Sequence, residues 1–494
     1  MPLKVAIVHY HLRPGGVTRV IENAVAALSG RGTQVVILTS EEYTGDALPA
    51  VPDADSGFLG VRILPSLRYT QPNEKPIASA LAFDIKAAAR EAFGTPPDIY
   101  HLHNHALGKN SAFPDACKTL AMSGASVLFQ IHDFAEDGRP ANYTILKRHT
   151  AALKHLYPQG PQLHYAVLNS RDRRLLLQAG FTGERTHLLP NPVNPPREYK
   201  DPAKAKPNDV NAERIFLYPT RAIRRKNIGE MLLWACFGHE NDSFHCTLSP
   251  QNPQQRPAYE RWTGLAEELR MPCRFGTGEG EGAPRFEDLV ARAHFLITTS
   301  VAEGFGMAYL EPWLYGQKLL GRDLPEITAD FKEAGMLLDH LYGRLDLPAE
   351  LFGADKLRDT LASKLKNYYA DYDQPMPGDA VERAWNSIVV NGAADFGRLD
   401  EDLQEAAIRA IWASDNLRRT PPLDQACTTR NTLNLVDDNA AVIEDQYSIS
   451  KYGERLEEIY QAIAAAPAET PGYLPENAVL HQFLDPARFN LLRT

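Results

Sequence analysis

Glu303 and Glu311 stand eight positions apart in VAEGFGMAYLEPW, with Gly304, Phe305 and Gly306 directly after the first of them. The stretch follows an apolar run, His294–Ser300, that reads as a buried strand, and it turns helical at about Met307. A strand, a glycine turn and a helix start present backbone N–H groups to whatever lies beyond the strand, which suits a phosphate. With mostly helical spacing, the two carboxylates lie roughly 12 Å apart at about 1.5 Å per residue. That is about the reach from a hexose to a ribose across a diphosphate. On spacing alone, the same residues also fit two unrelated glutamates, one in a loop and one on a helix.

Arg221, Arg224, Arg225 and Lys226 form a second constellation, in PTRAIRRKN after another strand run. Cations crowded at a helix start repel one another and oppose the helix dipole, so the cluster calls for an anion. A diphosphate is one; a solvated basic turn is the alternative. His132 closes an apolar strand in QIHDFAEDGRP and is read as a hydrogen-bond donor to a substrate, with Asp133 as a local turn residue. A structural histidine is the bland alternative. Gly15 and Gly16 lie where the first strand must turn into a helix, so backbone can approach a ligand there. Arg13, Arg139 and Asn142 are candidate acceptor contacts from first-half loops, against the plain reading of surface loop residues.

The elements that must hold these residues alternate. Apolar runs at Lys4–Val8, Gln34–Thr39, Asp98–His103, Ser126–Ile131, Tyr165–Leu168 and Thr186–Leu189 are separated by helical patterns. The alternation restarts at Arg214–Tyr218 and Phe244–Leu248. This predicts an α/β protein with two doubly wound, Rossmann-like halves facing a crevice. The expected division is 1–195, a Pro-, Lys- and Asp-rich linker at 196–210, 211–445 with a helical extension from about 340, and a closing helix and tail at 446–494 that cross back to the first half.

The chain has 494 residues, with 52 basic and 62 acidic side chains and a net charge of −10, which disfavours nucleic acid or an anionic membrane as the main partner. No apolar run reaches the length of a spanning helix, and the N-terminus reads as a strand rather than a signal peptide. Five scattered cysteines form no CxxC pair and point to a reduced, cytoplasmic protein. The alternating His9/His11 and His101/His103/His105 lack a convincing further ligand, so no metal site is expected. Asp53/Asp55, Asp371/Asp373 and Asp400/Asp402 read as solvated charge, and Gly276–Gly282 as a mobile loop.

Taken together, EGFGMAYLE, GGVTRV after the first strand, NPV at the end of the first half, the Arg…Lys cluster and LPEI resemble retaining GT-B glycosyltransferases, family 4 above all. The resemblance covers about residues 3 to 330 and the Tyr447–Ile463 stretch. It implies a hexosyltransferase (glucose or mannose) using a UDP-, GDP- or ADP-sugar, with no cofactor. Glu303 would contact donor hydroxyls and Glu311 the ribose. Arg221 and Lys226 would neutralise the diphosphate, and His132 would reach the donor sugar. Arg225, Gly15, Gly16, Gly304, Phe305 and Gly306 would complete the donor site. The implied chemistry is front-face transfer with retention, a donor phosphate oxygen taking the acceptor proton. The RRKN context departs from the family's R…KG pattern, so Arg225 could take the role of Lys226. The 340–445 segment is longer than the family leads one to expect and is an acceptor-side or homo-oligomer feature. A small polar or anionic soluble acceptor is expected. A disaccharide phosphorylase of the same fold and a non-catalytic nucleotide-sugar-binding protein are the competing readings.

Overall fold

Runs of aliphatic and β-branched residues become parallel strands, and the amphipathic segments between them become the helices that cover the sheet. The computed structural model describes residues 2–49, 56–71, 73–148, 150–194, 213–419 and 434–493. The 196–210 linker, Asp53/Asp55 and Cys427 lie outside the described residues. The chain divides into two units. The first holds Met1–Pro192, Asp371–Gln374 and Asp445–Asp485; the second holds Val193–Ala370, Pro375–Glu444 and Pro486–Thr494. The last nine residues thus belong with the second unit, not with the closing helix that precedes them.

In the first unit the strands are β1 (Leu3–Val8), β2 (Thr33–Thr39), β3 (Phe58–Ile63), β4 (Ile99–His103), β5 (Val127–Ile131), β6 (Pro158–Gln159), β7 (Leu163–Val167) and β8 (Thr186–Leu188). Seven of them form a parallel sheet in the order β3-β2-β1-β4-β5-β7-β8, while β6 pairs antiparallel with Gly472–Tyr473. Val5 and Ile7 of β1 are wholly buried against Ile21, Ala24 and Leu28 of helix Gly16–Leu28. Leu456, Ile459, Tyr460 and Ile463 of helix Ile449–Ala465 join the same core. That helix starts at Ser448, whose side chain accepts from the Lys451 N–H, and its apolar residues recur every three or four positions. Each such buried Leu or Ile contributes about 1.5–3 kcal/mol.

The second unit is built on β9 (Arg214–Arg221), β10 (Asp242–Leu248), β11 (Cys273–Phe275), β12 (Phe295–Thr298) and β13 (Leu319–Gly321), parallel and ordered β11-β10-β9-β12-β13. Both units are Rossmann-like. The 340–445 segment adds helices Ala354–Asp371, Ala380–Ile388, Glu401–Trp412 and Leu435–Gln446 and a small antiparallel sheet. Here Asp400 is not the solvated charge its sequence context implied. It is 9% exposed and caps helix Glu401–Trp412, accepting from the Leu403 N–H at 3.0 Å. The Gly276–Gly282 run is tied down at Glu279, which accepts from the Ser249 N–H and hydroxyl, both at 3.0 Å.

Chain order reverses between β1 and β4 in the first sheet and between β9 and β12 in the second. Ligands of such sheets bind beyond the carboxyl ends of the strands at this reversal.

Candidate active site

In the second unit, the two strands flanking the reversal deliver the two constellations to one place. β9 ends at Arg221 and leads into the 3-10 turn Arg224–Lys226. β12 leads through Thr299 and Ser300 to Glu303. Backbone ties hold the two loops together: Val301 N–H donates to Arg225 O at 2.9 Å, and the Thr299 hydroxyl donates to Lys226 O at 3.0 Å. Asn227 then turns through φ 52°, a left-handed conformation Asn tolerates, and starts helix Ile228–Cys236.

The anion demanded by the basic turn is supplied by the protein itself. Lys226 Nζ pairs with Glu303 Oε1, and Arg225 Nη1 donates to Glu303 Oε2 at 2.7 Å and to Ala302 O at 2.8 Å. Arg224 is turned away and pairs with Glu401 at 2.6 Å. Arg221 donates to Ser249 O at 3.2 Å. Burial alone would raise the Glu303 carboxyl, but Lys226 and Arg225 overcome it and hold the group at about 2. Glu303 is therefore an ionised carboxylate, 8% exposed, clamped by two cations of which Arg225 remains 39% exposed.

The Glu303–Glu311 stretch is not the continuous helical ruler its spacing suggested. It is a turn, a 3-10 segment at Met307–Tyr309 and a four-residue helix, Glu311–Leu314. Gly306, at φ 98°, precedes the 3-10 segment as its cap, and the four-residue helix starts at Glu311 with Pro312 in its first turn. A helix this short carries little dipole, so the turn's backbone N–H groups, not a macrodipole, are what a phosphate would meet. The Phe305 ring is buried edge-on against Phe331. Glu311 lies close enough to act electrostatically on Lys226.

In the first unit, His132 follows β5. Its N–H and that of Asp133 both donate to Asn104 Oδ1, at 2.8 and 3.1 Å, and Asn104 itself sits at φ 54° at the end of β4. His132 Nε2 bonds His103 Nδ1 at 2.8 Å, the rings stacked 5.1 Å apart. Burial, with His9 and His101 nearby, lowers His132 to about 3, so the ring is neutral at physiological pH. Asp133 is more than a turn residue: it pairs with Arg139 at 2.5 Å. Gly15 and Gly16 are exposed at the start of helix Gly16–Leu28, which has no side-chain cap. Arg13 forms two bonds to Glu41, at 2.6 and 2.8 Å. The Asn142 amide is spent on Leu107 O at 2.9 Å, and the Asn142 carbonyl closes on Gly108, where any Cβ would come within 2.3 Å. Asn142 therefore fixes the β4 loop. Sequence reading weighed His103 only as a metal ligand within the 101/103/105 alternation, and Asn104 escaped it because its contacts with His132 and Asp133 are long-range in sequence. Among the described residues, no group of three or more His, Cys, Asp or Glu could hold a metal ion, and no helix is long and apolar enough to cross a membrane.

A family model, Glycosyltransferase Family 4, matches residues 14–197. The chain is 28% identical over 349 residues to mannosylglucosyl-3-phosphoglycerate synthase of Petrotoga mobilis. The match spans 66% of this chain and 66% of that protein, just under two thirds of the relative's length. Three solved structures share the fold. The HepE protein of Anabaena in complex with UDP and glucose has a TM-score of 0.51 and 11% identity over 93% of this chain and 99% of its own. A Rickettsia africae glycosyltransferase has 0.52 and 13% over 94% and 99%. The sucrose-phosphate synthase of Thermosynechococcus elongatus has 0.50 and 15% over 94% and 99%. The fold is that of GT-B glycosyltransferases, and the first part of the chain, residues 14–197, matches the family 4 model.

Proposed function

We propose that the chain transfers a hexose, glucose or mannose, from a nucleoside-diphosphate sugar to a small polar or anionic soluble acceptor, with retention of anomeric configuration. One observation carries the reading: a buried, ionised Glu303 held by Lys226 and Arg225 at the strand-order reversal of the second sheet. Preorganised cations beside a phosphate-sized turn suit a leaving diphosphate whose negative charge grows in the transition state. In this proposal Lys226, Arg225 and Arg221 take the diphosphate, Glu303 is freed to accept donor hydroxyls, and Glu311 binds the ribose. The backbone of Gly304–Gly306 and of Gly15 and Gly16 approaches the phosphates, and His132 donates to the sugar. With Glu303 on the hydroxyl side, a donor phosphate oxygen takes the acceptor proton, so cations suffice and neither a metal nor a cofactor enters.

The relatives lend support at the level of chemistry. HepE was crystallised with UDP and glucose, and the Petrotoga protein is named for a product that joins sugars to a phosphoglycerate. A cytoplasmic setting is part of the same proposal. The test is a thermal-shift screen against UDP-, GDP- and ADP-sugars, followed by transfer assays with sugar acids and phosphosugars and NMR assignment of the product anomer. Stabilisation by one nucleoside-diphosphate sugar and an α-linked product from an α-donor are expected. Stabilisation by phosphate alone, with sugar 1-phosphate formed, would replace the reading with a phosphorylase.

A further inference from the structure

Three cations and two carboxylates meet in the first unit, and the pairing leaves one cation over. Glu41 covers Arg13, and Asp133 covers Arg139, which also donates to Phe134 O at 3.1 Å. The third cation is Lys109, in the loop after β4. It is half-buried, and its ammonium lies over the Tyr69 ring, 5.5 Å from the centroid. Burial and then Arg139 pull Lys109 below its ordinary value, and only Asp133, already paired, opposes them. A ring face contributes about 0.5–2 kcal/mol to holding an ammonium, less than its lost hydration costs. An anion from outside would offset the difference.

A second donor stands beside it. His11 Nδ1 faces the Arg13 N–H at 3.4 Å, which puts the ring proton on Nε2; Nε2 then donates to the Tyr69 hydroxyl at 2.9 Å. Burial first, and then Arg13, lowers His11, so its ring is neutral and the tautomer is defined. The Tyr69 oxygen is thereby an acceptor from His11, and its own proton is available to another group. The two loops are stitched in register: Thr70 N–H donates to Lys109 O at 2.9 Å, and Asn110 Nδ2 donates to Ser66 O and Arg68 O, both at 2.8 Å.

We propose that Lys109 and Tyr69, oriented by His11, form an oxyanion subsite that takes the phosphate monoester of the acceptor. The word acceptor rests on the transferase reading; the subsite itself rests on the unit's own geometry. It goes beyond Arg13, Arg139 and Asn142, whose side chains are already engaged. The probe is 3-phosphoglycerate, titrated calorimetrically into the full chain, with glycerol as the uncharged comparison. Saturable binding of 3-phosphoglycerate and none of glycerol are expected. Lys109→Gln should weaken binding at least about tenfold and Tyr69→Phe about threefold or more, on the scale of charge-assisted hydrogen bonds. Lys86→Gln, on the exposed face of helix Ala78–Phe93, should change nothing. Wild-type chain that binds no 3-phosphoglycerate, or Lys109→Gln that binds it within twofold of wild type, overturns the proposal. Titrating a nucleoside diphosphate into the same samples keeps the two readings apart. Its binding should survive Lys109→Gln; its absence from wild type, with 3-phosphoglycerate still bound, would sink the transferase reading and leave the subsite.

Discussion

Lys226 and Glu303, 77 residues apart in the chain, form a direct ion pair at the point where the second sheet reverses its strand order. Lys226 takes one carboxylate oxygen and Arg225 the other. One carboxylate thus offsets the repulsion between two neighbouring cations.

Glu303→Ala should therefore do two things. Transfer should fall by about 10²–10³-fold or more, the scale for removing a preorganised electrostatic contact. The folded state should lose on the order of 3 kcal/mol, because two cations are left facing one another without their anion. A saturating nucleoside diphosphate restores that negative charge, so it should raise the melting temperature of Glu303→Ala by more than that of wild type. Equal shifts in a thermal-shift assay would argue that these cations do not meet the diphosphate. Lys226→Ala should abolish transfer with the fold retained.

Two buried glutamates should give the chain opposite pH limbs. Glu303 is held at about 2 against an ordinary 4.5, so the folded state binds its proton more weakly than the unfolded chain does. Its stabilisation is complete above about 4.5 and is lost as pH falls towards 2. Glu136 is 2% exposed, and burial, partly opposed by a hydrogen bond from Tyr157, raises it to about 7. There the folded state holds the proton longer, so stability falls as pH rises from about 4.5 to 7. Glu136→Gln should stabilise the chain at pH 8, by up to about 3 kcal/mol, and leave it near wild type at pH 4.5. Denaturant midpoints across that range measure it; a pH-independent difference would contradict the burial argument.

His103 should act through His132. For the neutral His132 ring to offer a proton at Nδ1, its Nε2 must accept from His103 Nδ1–H, which leaves His103 Nε2 as a buried lone pair without a partner, as observed. His103→Ala should lower kcat about tenfold or more with donor KM little changed, and should shift the nitrogen NMR signals of His132 towards the other tautomer. An unchanged tautomer alongside a fallen kcat would assign His103 a purely structural role.

Gly306→Ala should damage both fold and site. Gly306 lies at φ 98°, and a Cβ there would come within 2.8 Å of Ile327 Cγ2 and 3.1 Å of the Tyr309 ring. Backbone strain and overpacking together predict a loss of about 2–4 kcal/mol. Circular dichroism melts would check it; a wild-type midpoint would mean that the 303–306 turn is less constrained than its geometry indicates.

Much of this was legible in the residue order. Strands β1, β4, β5, β9 and β12 carry mostly apolar runs that give way to polar residues such as His9, Asn104, His132 and Thr299, so they and the loops after them could be placed. β3 and β11 could not be placed. β3 carries Gly60 and Arg62, and β11 has three residues, so neither has a period to read. Charge was legible in composition but not in pairing. The basic turn called for an anion, while the carboxylates that the fold brings to it, Glu303 for two cations and Glu401 for a third, lie 77, 78 and 177 residues away in sequence.

The sequence by itself determined two Rossmann-like halves, the positions of the strand-end loops and the excess of cations near Lys226, because these follow from local period and local charge. Only the tertiary structure decided which charges were already spent. It closed Arg13 on Glu41 and Arg139 on Asp133, turned the Glu303–Glu311 stretch from a helical ruler into a glycine turn, and left Lys109 over Tyr69. The physical reason is that a carboxylate neutralises whichever cation the fold brings within hydrogen-bond reach, and that choice is made by strand order and loop packing, not by distance along the chain.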